Sequence, residues 1–286
     1  MPVSVLLLTF NESENIERCL KGLDWCDDIW VLDSGSTDDT VARAEAAGAH
    51  VAYKEWLGFA GARNFALDNL PLKHDWVLHL DSDEYVSRDL RNEILSIANG
   101  HSPQDAVAFE VPFQMLFMGR WLRYGGTFPN PQVRFGRKDA LHFVQAGHGQ
   151  REKLAFGRLA RTTGRLYHFN FSKGIASWQA KHIGYAREEA GQHLGGGKGT
   201  VDFVEGLSVA TRLRRRLRHA ANRIPGHSLL RFFYMYIFRL GFLDGAAGFH
   251  YAVLMSCHEY FISMHVREMK HDKDNFDIGK IPPAER

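Results

Sequence analysis

The chain has 286 residues, 45% apolar and 24% charged, which excludes a disordered or fibrous protein and allows one large domain or a catalytic domain with an appendage. A formal net charge of +2 gives no electrostatic ground for a nucleic-acid partner, and none is expected. The three cysteines, Cys19, Cys26 and Cys257, are an odd number without metal-ligand spacing and read as reduced thiols rather than a disulfide framework.

Met1 leads into a strand-like segment with no basic n-region, so no signal peptide is expected and the protein is read as cytoplasmic. Val3 to Leu8 is a nearly continuous apolar run, as in a parallel strand covered on both faces. A helix is predicted from Ser13, with Ile16, Leu20 and Leu23 at helical spacing. Ile29 to Leu32 reads as a second strand, and Ser36 or Thr37 as the cap of a helix through Ala47. His50 to Tyr53 reads as a third strand and Gly61 to Leu70 as a helix. Trp76 to Leu80 is the fourth strand, followed by a helix from Ser87 to Ala98 and a strand from Ala106 to Val111. Such alternation predicts an open α/β sheet with right-handed crossovers, whose ligands bind beyond the carboxyl ends of the strands.

Three of these strands end in polar clusters: Thr9-Phe10-Asn11-Glu12, Asp33-Ser34-Gly35 and Asp81-Ser82-Asp83. The last places two carboxylates where a buried strand emerges, with the intervening residue pointing the other way. Carboxylates near a core need a partner cation, and hard oxygen ligands suit Mg²⁺ or Mn²⁺ riding on substrate phosphates. A solvated turn capping the next helix is the plainer alternative. Neither a GxGxxG nor a GxxxxGK[ST] loop follows the first strand, which disfavours a Rossmann cofactor or a P-loop nucleotide. A metal on Asp83 and a cation such as Arg63 are the natural substitutes. Asp38 is read as a turn or cap residue, a role that is the plainer alternative for Asn11.

Leu-Thr-Phe-Asn-Glu at 8–12, Val-Leu-Asp-Ser-Gly-Ser-Thr-Asp at 31–38, Gly-Ala-Arg-Asn at 61–64 and Leu-Asp-Ser-Asp-Glu at 80–84 resemble, in order and spacing, the family 2 glycosyltransferases. The resemblance covers roughly the first 115 residues and implies a GT-A fold, a mixed sheet flanked by helices that binds a nucleotide-sugar. It implies that Thr9, Glu12 and Asp33 line the nucleobase and ribose pocket, that Arg63 sits near the base or phosphates, and Asp81 near the ribose or sugar. Asp83 would hold the Mg²⁺ or Mn²⁺ that bridges the diphosphate. A carboxylate at Asp33 can accept the imide N–H of uracil, which favours a uridine donor.

A single displacement at an anomeric carbon needs a base for the acceptor hydroxyl. Glu110, His142, His148, Glu152 and His168 are the candidates between residues 110 and 170. The segment resembles a subgroup that includes lipopolysaccharide-core and other cell-envelope glycosyltransferases. In these a Val-His-Glu-like motif precedes a His-Tyr pair by about seventeen residues. Gln150-Arg151-Glu152-Lys153-Leu154 and Tyr167-His168-Phe169 stand at those places, with Arg151 where the histidine is usual. By that resemblance Glu152 is the general base and His168 an additional metal ligand; a buried, backbone-satisfied histidine is the alternative for His168. Gly125 to Arg134 is a turn-rich stretch ending in a strand, and Trp121, Tyr124 and Phe128 stack either on a sugar or in the core. Arg134 resembles a position near the diphosphate or acceptor. Gly195 to Gly199 reads as a flexible loop.

The last third is different in character. Arg212, Arg214, Arg215, Arg216 and Arg218 precede an aromatic-rich stretch with no charge-free run long enough to span a bilayer. Two amphipathic helices, Ser228 to Leu240 and Gly245 to Arg267, are predicted at an anionic membrane surface; packing on the catalytic domain or self-association is the alternative. The chain therefore divides into a nucleotide-sugar-binding part (1–115), an acceptor-side part of the same domain (116–200), a membrane-associating helical region (201–270) and a polar tail (271–286). The expectation is an inverting, metal-dependent transferase acting on a lipid- or polysaccharide-linked glycan at the cytoplasmic side of the membrane. The alternatives are a nucleotidyltransferase of similar fold and a catalytically inactive membrane scaffold.

Overall fold

β1 (Val3–Thr9) is buried at every position, and its side chains divide between two cores. Val3, Val5 and Leu7 enter one with Ile16, Val31, Leu90 and Phe135; Leu6 and Leu8 enter another with Ala62, Ala66 and Val77. A strand covered on both faces needs apolar residues at consecutive positions, hence the unbroken run in the sequence. The computed structural model describes residues 2–146, 149–194 and 226–271.

After β1 come α1 (Ile16–Lys21), β2 (Ile29–Asp33), α2 (Thr40–Ala46), β3 (His50–Tyr53), α3 (Gly58–Asn69) and β4 (Trp76–Asp81). β5 (Glu84–Val86), α4 (Arg88–Ser96), β6 (Ala106–Val111), β7 (Phe113–Phe117) and β8 (Arg120–Trp121) follow. β9 (Gln132–Arg137), β10 (Leu141–Ala146), β11 (Gly149–Leu154), β12 (Arg158–Arg161) and β13 (Leu166–His168) complete the strands. The helices α5 (Gly174–Leu194), α6 (His227–Phe233) and α7 (Gly245–His271) come last.

The main sheet has the order β12-β6-β9-β4-β1-β2-β3. β4, β1, β2 and β3 are parallel neighbours, as the strand–helix alternation predicts. β9 inserts antiparallel between β4 and β6 and makes the sheet mixed. A smaller sheet, β5-β13-β7-β8, stands beside it, and β10 and β11 form a separate antiparallel pair. Because β1, β2 and β4 run the same way, their carboxyl ends and the polar clusters beyond them share one edge.

Ser87 caps α4 by accepting from the Leu90 N–H at 3.2 Å. The start of α2 differs from expectation: it begins at Thr40, not after a Ser36 or Thr37 cap. Ser36 and Thr37 are held instead by Asn11, whose backbone N–H donates to Ser36 Oγ and whose side-chain oxygen accepts from Thr37 N, both at 2.8 Å. Asp38 accepts from Thr40 N at 3.0 Å and from Ser13 N at 3.2 Å, the turn role read for it.

The C-terminal helices follow the predicted pair, with the chain from Gly241 to Asp244 as a 3₁₀ turn between them. They dock on the catalytic part, which was the alternative reading. Met235, Ala247, Tyr251 and Ala252 form a core with Phe117 and Leu122. Buried Asp244 accepts from the backbone N–H groups of Arg123 at 3.2 Å and Tyr124 at 2.8 Å, tying the turn to the loop after β8. α5, which no sequence signal singled out, packs along α7 and is clamped by Phe171, stacked 5.1 Å from Trp178. Among the described residues no helix is long and apolar enough to cross a membrane. All three cysteines are free. The arginine cluster 212–218, the glycine loop 195–199, His148 and the tail from 272 lie outside the described residues.

Candidate functional site

The parallel register sets Thr9 beside Asp33 and Leu8 beside Asp81. Thr9 Oγ1 donates to Asp33 Oδ1 at 3.0 Å, and Ser36 Oγ donates to the same oxygen at 2.5 Å. The backbone N–H groups of Gly35 and Ser36 reach Asp33 Oδ2 at 2.9 and 2.8 Å. Asp33 is thus buried and fully hydrogen-bonded, and it shapes the loop after β2. Glu12, on the loop after β1, accepts from Asn15 Nδ2 at 2.7 Å and pairs with Lys173 Nζ at 2.6 Å. Lys173 also donates to the Asn11 carbonyl, so the turn before α5 is bound to the rim of β1.

The two aspartates at the end of β4 have different partners. Asp81 lies between two buried guanidinium groups, with Arg63 Nη2 at 2.7 Å on Oδ1 and Arg134 Nη2 at 2.5 Å on Oδ2. Arg134 also reaches fully buried Glu84 at 2.5 Å, and the other oxygen of Glu84 accepts from the Asp81 N–H at 3.0 Å. Arg63 comes from α3, Arg134 from β9, Asp81 from β4 and Glu84 from β5, so four elements close one network of two guanidinium and two carboxyl groups. Burial by itself would raise the Asp81 carboxyl, but Arg134 and Arg63 outweigh it and hold Asp81 well below the usual range. For Glu84 burial prevails over the pull of Arg134 and pushes its carboxyl up to about 7. Arg63 is 1% exposed, neither a surface cation of α3 nor open to solvent.

Asp83 is outside that network. His168 Nε2, at the end of β13, stands 3.3 Å from Asp83 Oδ2, and both side chains keep about a fifth of their surface open, 23% and 19%. The Phe169 N–H donates to the Asp83 carbonyl at 2.8 Å, which fixes the two segments together. Burial opposes charge on both groups, yet their mutual attraction prevails: His168 is raised and Asp83 lowered from ordinary values. Ser82 points the other way and donates to the Leu8 carbonyl.

A carboxylate and an imidazole nitrogen at this separation, with solvent on one side, are a donor set into which a divalent cation fits. No third His, Cys, Asp or Glu joins them among the described residues. Mg²⁺ and Mn²⁺ bound to phosphates use one or two protein ligands and take the rest from phosphate and water. Asp81, saturated by arginines, is not available as a ligand without breaking its ion pairs.

Glu152 is set apart from this group, half-buried on β11, and no hydrogen bond or ion pair joins it to Asp81, Asp83 or His168 among the described residues. The register places it opposite Phe143, and directly opposed side chains share one face of an antiparallel pair. The Phe143 ring lies 5.1 Å from the His79 ring and 5.8 Å from Arg63 Cζ, so that face looks toward the network. Of the other candidate bases, Glu110 pairs with Arg161 at 2.6 Å and His142 with Asp68 at 2.9 Å. Trp121 meets Phe128 edge-on at 5.1 Å, and the guanidinium groups of Arg123 and Arg165 lie 5.3 and 5.4 Å from it.

Two features escape sequence reasoning. Nothing in the order of residues pairs Glu84 with Arg134 across 50 positions. Lys173, the partner of Glu12, follows β13 in no motif. His79 did leave a signal, a lone polar residue in the apolar run of β4. It is fully buried beneath the arginines, and neither ring nitrogen meets a protein partner. Burial and the adjacent Arg63 and Arg134 push its basicity far below that of an ordinary imidazole.

The model of glycosyl transferase family 2 matches residues 4–148, and the chain belongs to that family. The mixed sheet with strand-end carboxylates agrees with the GT-A expectation. An uncharacterized glycosyltransferase of Rickettsia prowazekii is 36% identical over 176 residues, 61% of this chain and 59% of the relative. The lipopolysaccharide core biosynthesis glycosyltransferase LpsC of Rhizobium meliloti is 33% identical over 158 residues, 52% of this chain and 53% of LpsC. The matches to the first curated relatives thus span between 41% and 59% of those proteins' length. Glucosyl-3-phosphoglycerate synthase from Mycobacterium tuberculosis, crystallised with Mn²⁺, uridine-diphosphate-glucose and phosphoglyceric acid, is 29% identical with a TM-score of 0.34, over 39% of this chain and 44% of that one.

Proposed function

We propose that the protein is an inverting, metal-dependent glycosyltransferase that moves a sugar from a nucleoside diphosphate donor, uridine-linked, to a lipid- or polysaccharide-linked acceptor in cell-envelope glycan synthesis. The observation that carries this reading is the Asp83–His168 pair, open to solvent at the carboxyl edge of the sheet beside the saturated Asp81 network. Asp83 and His168 would hold a divalent ion, which would supply Lewis-acid stabilisation of the leaving diphosphate. Asp83 and His168 orient that ion's protein side, while Arg63 and Arg134 keep Asp81 ionised and in place for the ribose or sugar. At Asp33, two of the four donors are hydroxyls that rotate to other partners, so a uracil imide N–H can take the place of one.

Glu152 serves as the base for the acceptor hydroxyl in this reading. Its support is the shared face with Phe143 and the engagement of Glu110 and His142 elsewhere. A single base and one displacement give inversion at the anomeric carbon. The acceptor reading draws on the similarity to LpsC, whose name places it in lipopolysaccharide core synthesis.

The reading places the protein peripherally on the cytoplasmic face of the membrane. Leu229 is 64% and Phe238 77% exposed, with Leu230, Phe233, Ile237 and Leu243 also open along α6 and the turn after it. Between residues 211 and 243 the sequence holds eight arginines and no aspartate or glutamate. Apolar side chains beside basic ones suit an anionic bilayer surface.

Thermal-shift measurement with uridine, guanosine, cytidine and adenosine diphosphates, with and without Mn²⁺, tests the donor site. A ligand at a hundred times its Kd stabilises the fold by about 2.7 kcal/mol. The reading requires a Mn²⁺-dependent shift with uridine diphosphate that Asp83→Ala abolishes. No shift with any of the four nucleotides overturns it.

A further inference from the structure

Two guanidinium groups stand against one half-buried indole at the end of β8. Arg123 Cζ lies 5.3 Å and Arg165 Cζ 5.4 Å from the Trp121 ring. Arg165 is also 5.5 Å from the Phe128 ring, which meets Trp121 edge-on at 5.1 Å. A third arginine, Arg239, reaches the same loop. Its carbonyl accepts from the Gly125 N–H at 2.9 Å, and its guanidinium covers Gly126, 3.8 Å from where a Cβ would stand. All three arginines are exposed, and none forms an ion pair with another described residue. The sequence offers no local carboxylate to neutralise them, with no aspartate or glutamate between residues 111 and 138, 162 and 187, or 226 and 243. Two acids approach these segments but are engaged by backbone. Asp244 is buried and accepts from Arg123 N and Tyr124 N, and Glu93 accepts from Thr163 N and Gly164 N. Like charges gathered without a counter-charge on the protein are a site for an anion.

The register of the small sheet separates this cluster from the candidate donor site. Glu84, His168 and Met115 are directly opposed across β5, β13 and β7, and so are Tyr85, Tyr167 and Gln114. Successive residues of a strand alternate faces, so Trp121, opposite Leu116, shares a face with Tyr85 and Tyr167. His168 and Glu84 are on the other face. The cluster adjoins the apolar surface of α6 and its turn instead. Arg239 lies between exposed Phe238 and Leu240, and the Gly125–Arg239 and Tyr124–Asp244 hydrogen bonds fasten the loop to that turn. A guanidinium offers a planar fork that matches phosphate oxygens. Tryptophan beside apolar side chains suits the headgroup level of a bilayer.

We propose that Arg123, Arg165 and Arg239, set around Trp121 and the loop after β8, form a binding site for the phosphate of anionic phospholipid headgroups. This rests on the membrane-surface reading above and deepens it. Phe238 and its apolar neighbours supply contact that is indifferent to lipid charge, and the arginines make the surface selective for anionic lipid. The two parts act as one unit, because backbone hydrogen bonds join the loop to the turn after α6. Lipid and nucleotide do not compete, since His168 and Trp121 are on opposite faces of the small sheet.

Co-sedimentation of the full chain with phosphatidylcholine vesicles, with and without phosphatidylglycerol, tests the assignment. Arg123→Gln/Arg165→Gln should partition about tenfold or more weaker to the phosphatidylglycerol vesicles, at about fivefold for each charge near an anionic surface. On phosphatidylcholine alone the same variant should differ from wild type by less than about twofold. Arg123→Lys/Arg165→Lys, which keeps the charge, should recover most of the loss. Arg43→Gln/Arg137→Gln removes equal charge from α2 and β9 and should lose less than about threefold, because exposed charges far from the contact are screened. The melting temperature should stay at the wild-type value in all three, since the substituted side chains are exposed or on the surface. An Arg123→Gln/Arg165→Gln protein that sediments like wild type overturns the proposal and leaves the membrane reading standing on its apolar face. Equal losses in the two glutamine variants overturn it too, since net charge alone would then govern binding. Release of wild type from the vesicles by excess glycerol phosphate would assign the arginines to a soluble phosphate and overturn the headgroup site. A wild type that sediments with neither vesicle overturns the membrane reading first, and the proposal with it.

Discussion

Asp83 and His168 are 85 residues apart in the chain and 3.3 Å apart in the fold. β13 brings them together by pairing antiparallel with β5, in a register that sets His168 opposite Glu84. The carboxylate and imidazole are therefore placed by a short ladder rather than by a flexible loop, so a ligand entering between them meets a set geometry.

Replacing His168 with alanine should leave the fold intact, since the side chain is partly open, with Asp83 at 3.3 Å and the Phe113 ring at 5.5 Å as its neighbours. Mn²⁺ affinity, followed by the metal dependence of nucleotide binding, should fall by at least the roughly tenfold to hundredfold that loss of an outer-shell partner costs. Unchanged metal dependence would remove His168 from the site.

Arg134 is the common partner of Asp81 and Glu84. Arg134→Met leaves fully buried Glu84 and partly exposed Asp81 with one cation fewer, at a cost of up to about 3–5 kcal/mol. Arg137, whose partner Asp139 is on the surface, is the control: Arg137→Met should cost no more than about 1 kcal/mol. Urea denaturation of the two variants measures the difference. Equal costs would mean that the network does not stabilise the edge of β4.

His79 sets an acid limit. Its folded basicity is held far below the ordinary imidazole value of 6.5, so below that pH the unfolded chain takes up a proton that the folded chain refuses. Stability is then lost as pH falls below 6.5, at up to about 1.4 kcal/mol per pH unit from this one group. Glu84 acts with the opposite sign between its unfolded value of 4.5 and about 7, so the wild-type slope mixes the two. His79→Phe removes the histidine contribution and should leave a stability profile between pH 5 and 7 that falls less steeply toward acid than wild type. Denaturant midpoints at several pH values read this directly; parallel profiles would assign the acid loss to other groups.

Phe238 projects from the turn after α6 with 77% of its surface exposed. Phe238→Asp adds a charge where the reading requires apolar contact. Co-sedimentation with vesicles of anionic phospholipid should drop several-fold, and binding of uridine diphosphate should not change. Sedimentation equal to wild type would count against this face as the contact.

The local sequence determined what local physics can determine. The apolar runs of β1 and β4 announced strands buried on both faces, the strand–helix alternation set the parallel half of the sheet, and the clusters after Thr9, Asp33 and Leu80 marked its carboxyl edge. Asp38 accepts from Thr40 only two residues on, which is why its turn role was legible. Tertiary structure alone decided the partners. Asp81 and Asp83 look alike in the sequence, yet one is enclosed by Arg63 and Arg134 and the other faces His168, because α3, β9 and β13 converge there from distant parts of the chain. The insertion of β9 against the direction of its neighbours, and the packing of α5 along α7, are long-range packing choices. Ion pairing depends on distance in space and on exclusion of water, and neither leaves a period or a spacing in the order of residues.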